Sequence, residues 1–146
     1  MFGLEKERSR NASRTSGLGR NLFQVEFVIP FLPPSVNSLY GIKTGKGRTQ
    51  VFLKSEARSF KEKAKLFMPP RTLEPSSRIA LSISVHARWI NKNGSFRKLD
   101  IQNLEKILID AIADKYDFDD SRVWQKFCNK IESDKDEVRV ILSEIA

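Results

Sequence analysis

An acidic segment, residues 100–120, contains the residue types that chemistry on a phosphate requires. It has seven acidic side chains against two lysines: Asp100, Glu105, Asp110, Asp114, Asp117, Asp119 and Asp120, with Lys106 and Lys115. The segment therefore has a net charge of −5, and because the whole chain has +8, the remainder has +13. Carboxylates bind Mg²⁺, and a lysine beside them can stabilise the charge on a reacting phosphate. One interpretation is that the acidic segment holds a cation against a phosphate, as hydrolysis of a phosphodiester requires, and the basic remainder is compatible with an acidic ligand such as nucleic acid or an anionic membrane.

The same aspartates also suit structural roles. Asp100 stands where a helix N-cap is expected, and Asp119 and Asp120 precede a strand, as turn residues do. A shared metal ion would require Asp100 and Asp120 to converge, which happens only if the chain folds back across a sheet. From spacing alone, the structural and the metal-binding roles both remain open.

Length and composition exclude several other classes. A chain of 146 residues with 40% hydrophobic and 30% charged residues is typical of one globular domain. The single cysteine, Cys128, excludes an internal disulfide, and the single histidine, His86, disfavours a Ser-His-Asp triad. We predict that Cys128 is buried in a strand, and we assign His86 no role. No apolar run reaches about 18 residues, so no membrane span is expected.

Two amphipathic helices are predicted. The second begins after Asp100 and has an apolar face: Leu104, Ile107, Leu108, Ala111 and Ile112. Its opposite face has Gln102, Asn103, Lys106 and Asp110. The first begins at Ser55, has the apolar stripe Ala57, Phe60, Ala64 and Phe67, and stops before Pro69. The other face of the first helix is basic, with Arg58, Lys61, Lys63 and Lys65. This face is either simply solvated or faces phosphates, and both interpretations remain open.

Alternating apolar residues predict strands at residues 23–29, 50–53, 79–90, 122–131 and 137–143. We expect residues 35–47 to form a polar loop and the last two strands to pair as a hairpin. Trp89, Trp124, Phe118 and Phe127 are predicted to be core residues, with stacking on unpaired bases as the alternative. The fold class is therefore α/β (α+β), one compact domain over residues 21–146 with a mixed sheet and two main helices. Residues 1–20 are predicted to be a basic, disordered leader.

Short motifs in the acidic segment and upstream of it resemble a known family. The motifs are Asp100-Ile101-Gln102-Asn103-Leu104-Glu105-Lys106, Asp110-Ala111-Ile112, Phe118-Asp119-Asp120-Ser121-Arg122-Val123, the upstream run Leu32-Pro33-Pro34-Ser35-Val36-Asn37-Ser38-Leu39-Tyr40, and Gly47-Arg48-Thr49. In order and spacing they resemble the RusA family of Holliday junction resolvases, over about residues 23–145. That family shows Asp-x-Asp-Asn-Leu-x-Lys, then Asp-Ala-Leu and a later Asp-Asp, after an early Pro-Pro-Ser-x-Asn.

The resemblance implies a function and a set of site residues. The family's small homodimers bind four-way DNA junctions and nick two strands symmetrically with Mg²⁺ or Mn²⁺. By position, the implied catalytic residues are Asp100, Lys106 and Asp120, and the implied metal ligands are Asp100, Gln102 and Asp120. The expected DNA-binding residues are Arg97, Lys98, Asn103, Arg48 and Lys46. A cytoplasmic, nucleoid-associated protein acting in recombination and repair is expected.

The sequence departs from the family pattern at two positions. Gln102 stands where the family has its second aspartate, and Leu99 stands where it tends to have an arginine. A neutral amide oxygen binds Mg²⁺ more weakly than a carboxylate does. Three explanations follow: Asp110 or Asp119 supplies the missing charge, one weakly held ion suffices, or the protein binds junctions without cutting them. A small basic RNA-binding module and a nuclease for flaps or single strands are further alternatives.

Overall fold

The computed structural model describes residues 24–34, 40–45, 48–53 and 55–145. The elements along the chain are β1 (Gln24–Ile29), β2 (Tyr40–Gly45), β3 (Arg48–Leu53), α1 (Ser55–Lys65), β4 (Arg78–Ala87), α2 (Ile101–Tyr116), a 3₁₀ turn (Asp120–Arg122), β5 (Val123–Glu132) and β6 (Glu137–Ile145). The predicted leader, residues 35–39 of the upstream motif and Lys46 lie outside the described residues.

A mixed four-stranded sheet forms the centre of the fold, in the order β1-β6-β4-β5. The β1–β6 and β6–β4 pairs are antiparallel, whereas β4 and β5 are parallel. Parallel neighbours need a crossover connection, and α2 lies within it. The predicted α+β class, with a mixed sheet and two helices, is confirmed.

Both helices belong with one face of the sheet. On β4 the buried side chains alternate with partly exposed ones, and Ile79, Ile83 and Val85 are completely buried. The predicted apolar face of α2 is buried at all five positions, as are Ala57, Phe60 and Ala64 of α1. Phe67 differs from the prediction: it lies beyond the end of α1 and stays 42% exposed, with its ring edge-on to Phe31 at 5.8 Å.

The predicted C-terminal hairpin is wrong. β5 and β6 follow each other in the chain, but β4 lies between them and pairs with both. The physical reason is the composition of the strands. The most apolar strand, β4, gains most from two neighbours, whereas β5 has Lys126 and Lys130 and suits an edge, where charged side chains reach solvent.

The predicted polar loop is also partly wrong, because residues 40–45 form a strand. β2 pairs antiparallel with β3 from Tyr40↔Leu53 to Gly45↔Arg48, as a separate two-stranded sheet. A short strand at 50–53 leaves backbone donors and acceptors unpaired, and the chain segment just before it is the nearest partner.

The four aromatic residues predicted to be core residues divide into two pairs. Trp89 and Phe118 are buried, as predicted, whereas Trp124 and Phe127 are 66% and 62% exposed, so for them the prediction is wrong. Both exposed residues are on the edge strand β5. Phe127 lies on the sheet face that the helices do not cover, and Trp124 lies at a register shift near the start of the strand. Cys128, on the same strand, is half-buried rather than buried. Within the described segments, no helix is long and apolar enough to cross a membrane.

Candidate active site

The start of α2 is fixed by Asp100. Its backbone is extended, its Oδ1 atom accepts a hydrogen bond from the Gln102 N–H at 3.1 Å, and its carbonyl accepts one from Asn103 N–H at 3.1 Å. These two bonds satisfy donors that the first turn of a helix otherwise leaves unpaired. The predicted N-cap is confirmed. Asp100 remains exposed, at the end of α2 where the partial positive charge of the helix favours an anion.

The segment that leads into Asp100 is tied to β4. Arg97 N–H donates to the Trp89 carbonyl at 2.7 Å, and the Arg97 guanidinium lies 5.6 Å from the Trp89 ring centroid. The ammonium of Lys130, on β5, lies 4.6 Å from the same centroid. The buried indole of Trp89 thus binds two cations, and Arg97 holds its position next to the helix start.

One exposed stripe of α2 has the spacing that the candidate chemistry requires. Gln102, Lys106 and Asp110 follow at intervals of four residues, so their side chains lie on the same side of the helix. The buried face of α2 packs on the core and orients this stripe towards the start of β5. A groove of about 590 Å³ lies between them.

Asp120 reaches this groove from a short 3₁₀ turn. Asp119 caps the start of the turn: its Oδ1 accepts a hydrogen bond from the Ser121 N–H at 2.8 Å. This hydrogen bond, with others to Ser121 and Asp120, lowers the pKa of the Asp119 carboxyl. The turn ends at Arg122, whose guanidinium donates to the Glu74 carbonyl at 2.6 Å and to the Ser77 carbonyl at 3.0 Å. Asp119 therefore has a structural role, and Asp120 is held between two anchors.

The groove brings together residues from α2, the 3₁₀ turn and β5. Its described lining residues are Gln102, Glu105, Lys106, Ile109, Asp110, Asp120, Val123, Trp124 and Lys126. Three residues predicted for the site are among them: Gln102, Lys106 and Asp120. Asp100 and Asp119 are not. Asp110, which precedes Asp120 by ten residues, also lines the groove.

The pKa of Asp110 depends on burial and on four charged groups nearby. Burial raises the pKa of its carboxyl above the usual range, the cations Lys61 and Lys106 oppose that shift, and the carboxylates of Asp114 and Asp120 reinforce it. Of these influences on the pKa of Asp110, burial is the largest and the Asp120 carboxylate the smallest. A cation bound between two such carboxylates relieves their repulsion.

A partly buried ion pair that lines the groove was missed by sequence reasoning. Glu105 is 8% exposed although it is charged, and Lys126 of β5 donates to its Oε1 at 2.7 Å. Glu105 lies beside Cys128, and burial first, then the Glu105 carboxylate, raise the pKa of that thiol to about 12. The signal in the sequence was an acidic residue, Glu105, on the apolar side of the predicted helix. Its partner Lys126 is identified only by the structure, which places β5 alongside α2.

The donor set of the groove suits a hard cation of modest affinity. Among the described residues, no three Asp, Glu, His or Cys side chains are grouped closely enough to hold a metal ion. Two carboxylates, Asp110 and Asp120, line one groove, and Mg²⁺ needs only one or two carboxylates with water as its other ligands. Gln102 lines the groove too, but it is ~12 Å along the helix axis from Asp110, which makes a shared ion difficult. Asp100 is ~15 Å along the helix axis from Asp110, so these two cannot share an ion.

Three of the DNA-binding residues expected from the sequence lie at the start of α2 or just before it. Arg97 and Lys98 are exposed just before Asp100, and Asn103 is half-buried in the first turn. Arg48 begins β3. On α1, Lys61 and Lys65 lie 2.5 Å and 3.7 Å from the Asp114 carboxylate, so part of that basic face serves to join α1 to α2.

The groove thus combines carboxylates, two lysines and an amide in one α+β domain. The family model for the endodeoxyribonuclease RusA matches residues 30–143, most of the chain. The chain therefore belongs to the RusA family of endodeoxyribonucleases, which are Holliday junction resolving enzymes. No curated protein sequence matches the chain with significant similarity.

Proposed function

We propose that this chain is a divalent-metal-dependent nuclease that resolves four-way DNA junctions as a homodimer, by paired symmetric nicks. The proposal rests on the family, and on one observation above all: Lys106, from α2, and Asp120, from the 3₁₀ turn, line the same groove. Residues 14 positions apart in the chain thus line a common groove.

We assign Asp100, Lys106 and Asp120 to catalysis, with Gln102 in place of a carboxylate. Lys106 is placed to bind a non-bridging phosphate oxygen and to stabilise the negative charge that grows during hydrolysis. Asp120 is held by the 3₁₀ turn to accept a proton from, or orient, the attacking water. Asp100, at the positive end of α2, flanks the path of the strand.

The neighbourhood of Asp110 and Asp120 is where the protein would hold Mg²⁺ or Mn²⁺. A bound divalent ion supplies positive charge next to the scissile phosphate and activates water. The choice of Asp110 rather than Asp119 as the source of the missing charge follows from their positions: Asp110 lines the groove, whereas Asp119 caps the turn. Because Gln102 replaces the family's second aspartate, the site has fewer negative charges than the family pattern, and we expect weaker metal binding.

Homodimer formation has a candidate surface in the uncovered face of the sheet. That face presents Ser82 between Ile141 and Phe127 in the strand register, with Val28 further along on β1. Val28 and Phe127 are 43% and 62% exposed on this face. We propose that a second copy packs here.

Charge supports self-association of this face. Glu26 of β1 and Arg139 of β6 are both exposed on it, with opposite signs, and their register partners are Ile141 and Val28. A two-fold axis through the face can pair Glu26 of one copy with Arg139 of the other. Two active sites related by such an axis match the approximate two-fold symmetry of a four-way junction, whose arms the exposed Arg97 and Lys98 would contact.

The second candidate function is a junction-binding protein that does not cut. It is favoured by one observation: the described residues hold no group of three His, Cys, Asp or Glu side chains that could bind a metal ion. This candidate predicts salt-sensitive junction binding with no requirement for a divalent ion.

The decisive experiment is cleavage of a synthetic four-way junction and of a linear duplex of the same sequence, with Mg²⁺ and Mn²⁺ titrated. We expect junction-selective nicking by the wild-type chain. Asp120→Asn should abolish nicking and leave junction binding intact, and Gln102→Asp should lower the Mg²⁺ concentration required. The matched control is Asp117→Asn, because Asp117 ends α2 in a left-handed conformation that asparagine also adopts.

Two outcomes would decide against the proposal. A junction that is bound but stays intact at every metal concentration would favour the non-cutting candidate. Nicking that survives Asp120→Asn would remove Asp120 from the catalytic set. A cruciform plasmid tests the pairing of nicks: a dimer yields linear product within one binding event, whereas Ile141→Glu on the proposed interface should yield monomers by sedimentation and nicked circles instead.

A further inference from the structure

Trp124 stands out among the large apolar side chains that the proposed mechanism leaves unused. It lines the groove with Asp120 and Lys106, and 66% of its surface is exposed. Exposing an indole to water is unfavourable, and Tyr and Trp are typically exposed where another molecule covers them. Trp89, the other tryptophan, is buried in the core.

A β-bulge explains why this side chain faces the groove. In the β4–β5 ladder, Ile79 is opposite Val123, but the next residue, Ala80, is opposite Gln125. Trp124 is therefore the extra residue, and the strict alternation of faces is interrupted at this point. Val123 and Trp124 consequently line the same groove, next to the turn that positions Asp120.

The indole is supported on one side. The guanidinium carbon of Arg78, the first residue of β4, lies 4.9 Å from the ring centroid. A cation over the ring restrains an exposed side chain that would otherwise rotate, and it leaves the remainder of the π-surface accessible. A rigid aromatic plane next to a phosphate-binding groove is the arrangement by which proteins bind unpaired nucleobases.

We propose that Trp124 is a stacking platform for an unpaired base next to the scissile phosphate of the junction. The inference rests on the proposed function, because the groove between Lys106 and Asp120 is where that phosphate would lie. A strand that places its phosphate there brings a neighbouring base to the indole. Bases inside a continuous duplex are already stacked on both sides, so the platform selects a branch point, where bases are open or easily unstacked.

The test measures binding without divalent metal, so that no strand is cut. A four-way junction has the fluorescent base 2-aminopurine next to the branch point, and a linear duplex of the same sequence is the comparison. Trp124→Ala should weaken junction binding by about 5- to 100-fold, the range expected for one base–aromatic stack. Duplex affinity should stay within about twofold, because phosphate contacts dominate it. The wild-type chain should quench the 2-aminopurine emission, and Trp124→Ala should not.

Two variants at the same position separate stacking from apolar contact. Trp124→Phe keeps a π-face and should retain part of the affinity and quenching, whereas Trp124→Leu keeps apolar bulk and should behave like Trp124→Ala. Because Trp124 is exposed, all three should unfold at the wild-type temperature.

The outcomes distinguish the platform from the proposed function itself. Suppose that the wild-type chain prefers the junction and cuts it when metal is present. If Trp124→Leu then binds and quenches as the wild type does, the stacking platform is refuted and the proposed function stands. Equal losses on junction and duplex would refute the platform too, since they indicate a general DNA contact. If the wild-type chain neither prefers nor cuts the junction, the proposed function fails and the platform with it.

Discussion

The Nζ atom of Lys130 lies 2.5 Å from the carbonyl oxygen of Leu99, and this hydrogen bond joins the edge strand β5 to the residue that precedes Asp100. The acceptor is a main-chain atom, so the identity of side chain 99 does not affect it. The same ammonium contacts the Trp89 ring, which also binds Arg97. The position of Asp100 thus depends on a strand 30 residues further along the chain.

Lys130→Met should therefore impair catalysis more than binding. Loss of the bond to Leu99 frees the start of α2, and displacement of a reacting group by about 1 Å can reduce a rate by roughly 100-fold. We expect single-turnover junction cleavage to fall by roughly 10- to 100-fold at saturating protein. Lys135→Met, in the exposed turn before β6, removes the same charge and should cut as the wild type does. Equal rates for the two variants would show that Asp100 is positioned by other contacts.

Asp110→Asn should raise the metal requirement. Asp110 and Asp120 line the same groove and interact electrostatically, and removal of one negative charge weakens attraction for a divalent cation. We expect the Mg²⁺ concentration for half-maximal cleavage to rise by at least roughly tenfold, the scale on which groups around a metal site act. Asp117→Asn again serves as the charge-matched control. An unchanged Mg²⁺ titration would show that Asp110 does not contribute to binding of the cation.

Glu144 stabilises the fold at a distance from the groove. It is 7% exposed, and its Oε1 accepts hydrogen bonds from the Glu74 N–H at 2.7 Å and the Ser77 hydroxyl at 2.9 Å. Arg122, which ends the turn holding Asp120, binds the same loop. Glu144→Ala leaves these donors unpaired and should lower the free energy of unfolding by about 1–3 kcal/mol in urea. Glu144→Gln, which keeps an acceptor, should lose less, and equal losses would indicate that the charge matters rather than the bonds.

Tyr116 should make stability depend on alkaline pH. Burial raises the pKa of its hydroxyl from 10 to about 12, partly opposed by Arg71, and the hydroxyl donates to the Pro69 carbonyl at 2.7 Å. Folding therefore favours the protonated form. Its contribution is complete below about pH 10 and is lost as the pH rises towards 12. Tyr116→Phe should remove this part of the pH dependence in unfolding experiments, and the same slope in both proteins would contradict the assignment.

Cys128 should react slowly with thiol reagents at neutral pH. Its pKa of about 12 leaves almost no thiolate, which is the reactive form, and the side chain is half-buried beside Glu105. We expect labelling of the native protein at pH 7.5 to be at least roughly tenfold slower than in urea. Lys126→Met should slow it further, because Lys126 is the cation that opposes the shift. Rapid native labelling would show that the groove opens at this point.

The features that sequence could predict are those that local periodicity controls. The apolar face of α2, its cap at Asp100 and the stripe of Gln102, Lys106 and Asp110 follow from a spacing of 3.6 residues per turn and from capping chemistry. The class of sheet followed from interleaved strands and helices. Lys106 and Asp120 were singled out through the motifs, which give order and spacing but no distances.

The features that sequence could not predict depend on which strands become neighbours. Adjacent strands with a short link favour a hairpin, yet β4 lies between β5 and β6. The most apolar strand, β4, gains most from a neighbour on each side, and this gain is a property of the whole sheet. The bulge that exposes Trp124 depends on the β4–β5 register and leaves no local signal. The pair of Glu105 and Lys126 likewise exists only once β5 lies alongside α2.

The pairing of β1 with β6 has a consequence for synthesis of the protein. Gln24 is opposite Ser143, so the first described strand finds its partner only when nearly the whole described chain has left the ribosome. Until then Val25, Phe27 and Ile29, all buried in the native fold, have no sheet to join. Contacts so distant in sequence form slowly, and exposed apolar strands promote aggregation. We therefore expect β1 to associate with chaperones on the nascent chain and the sheet to close last.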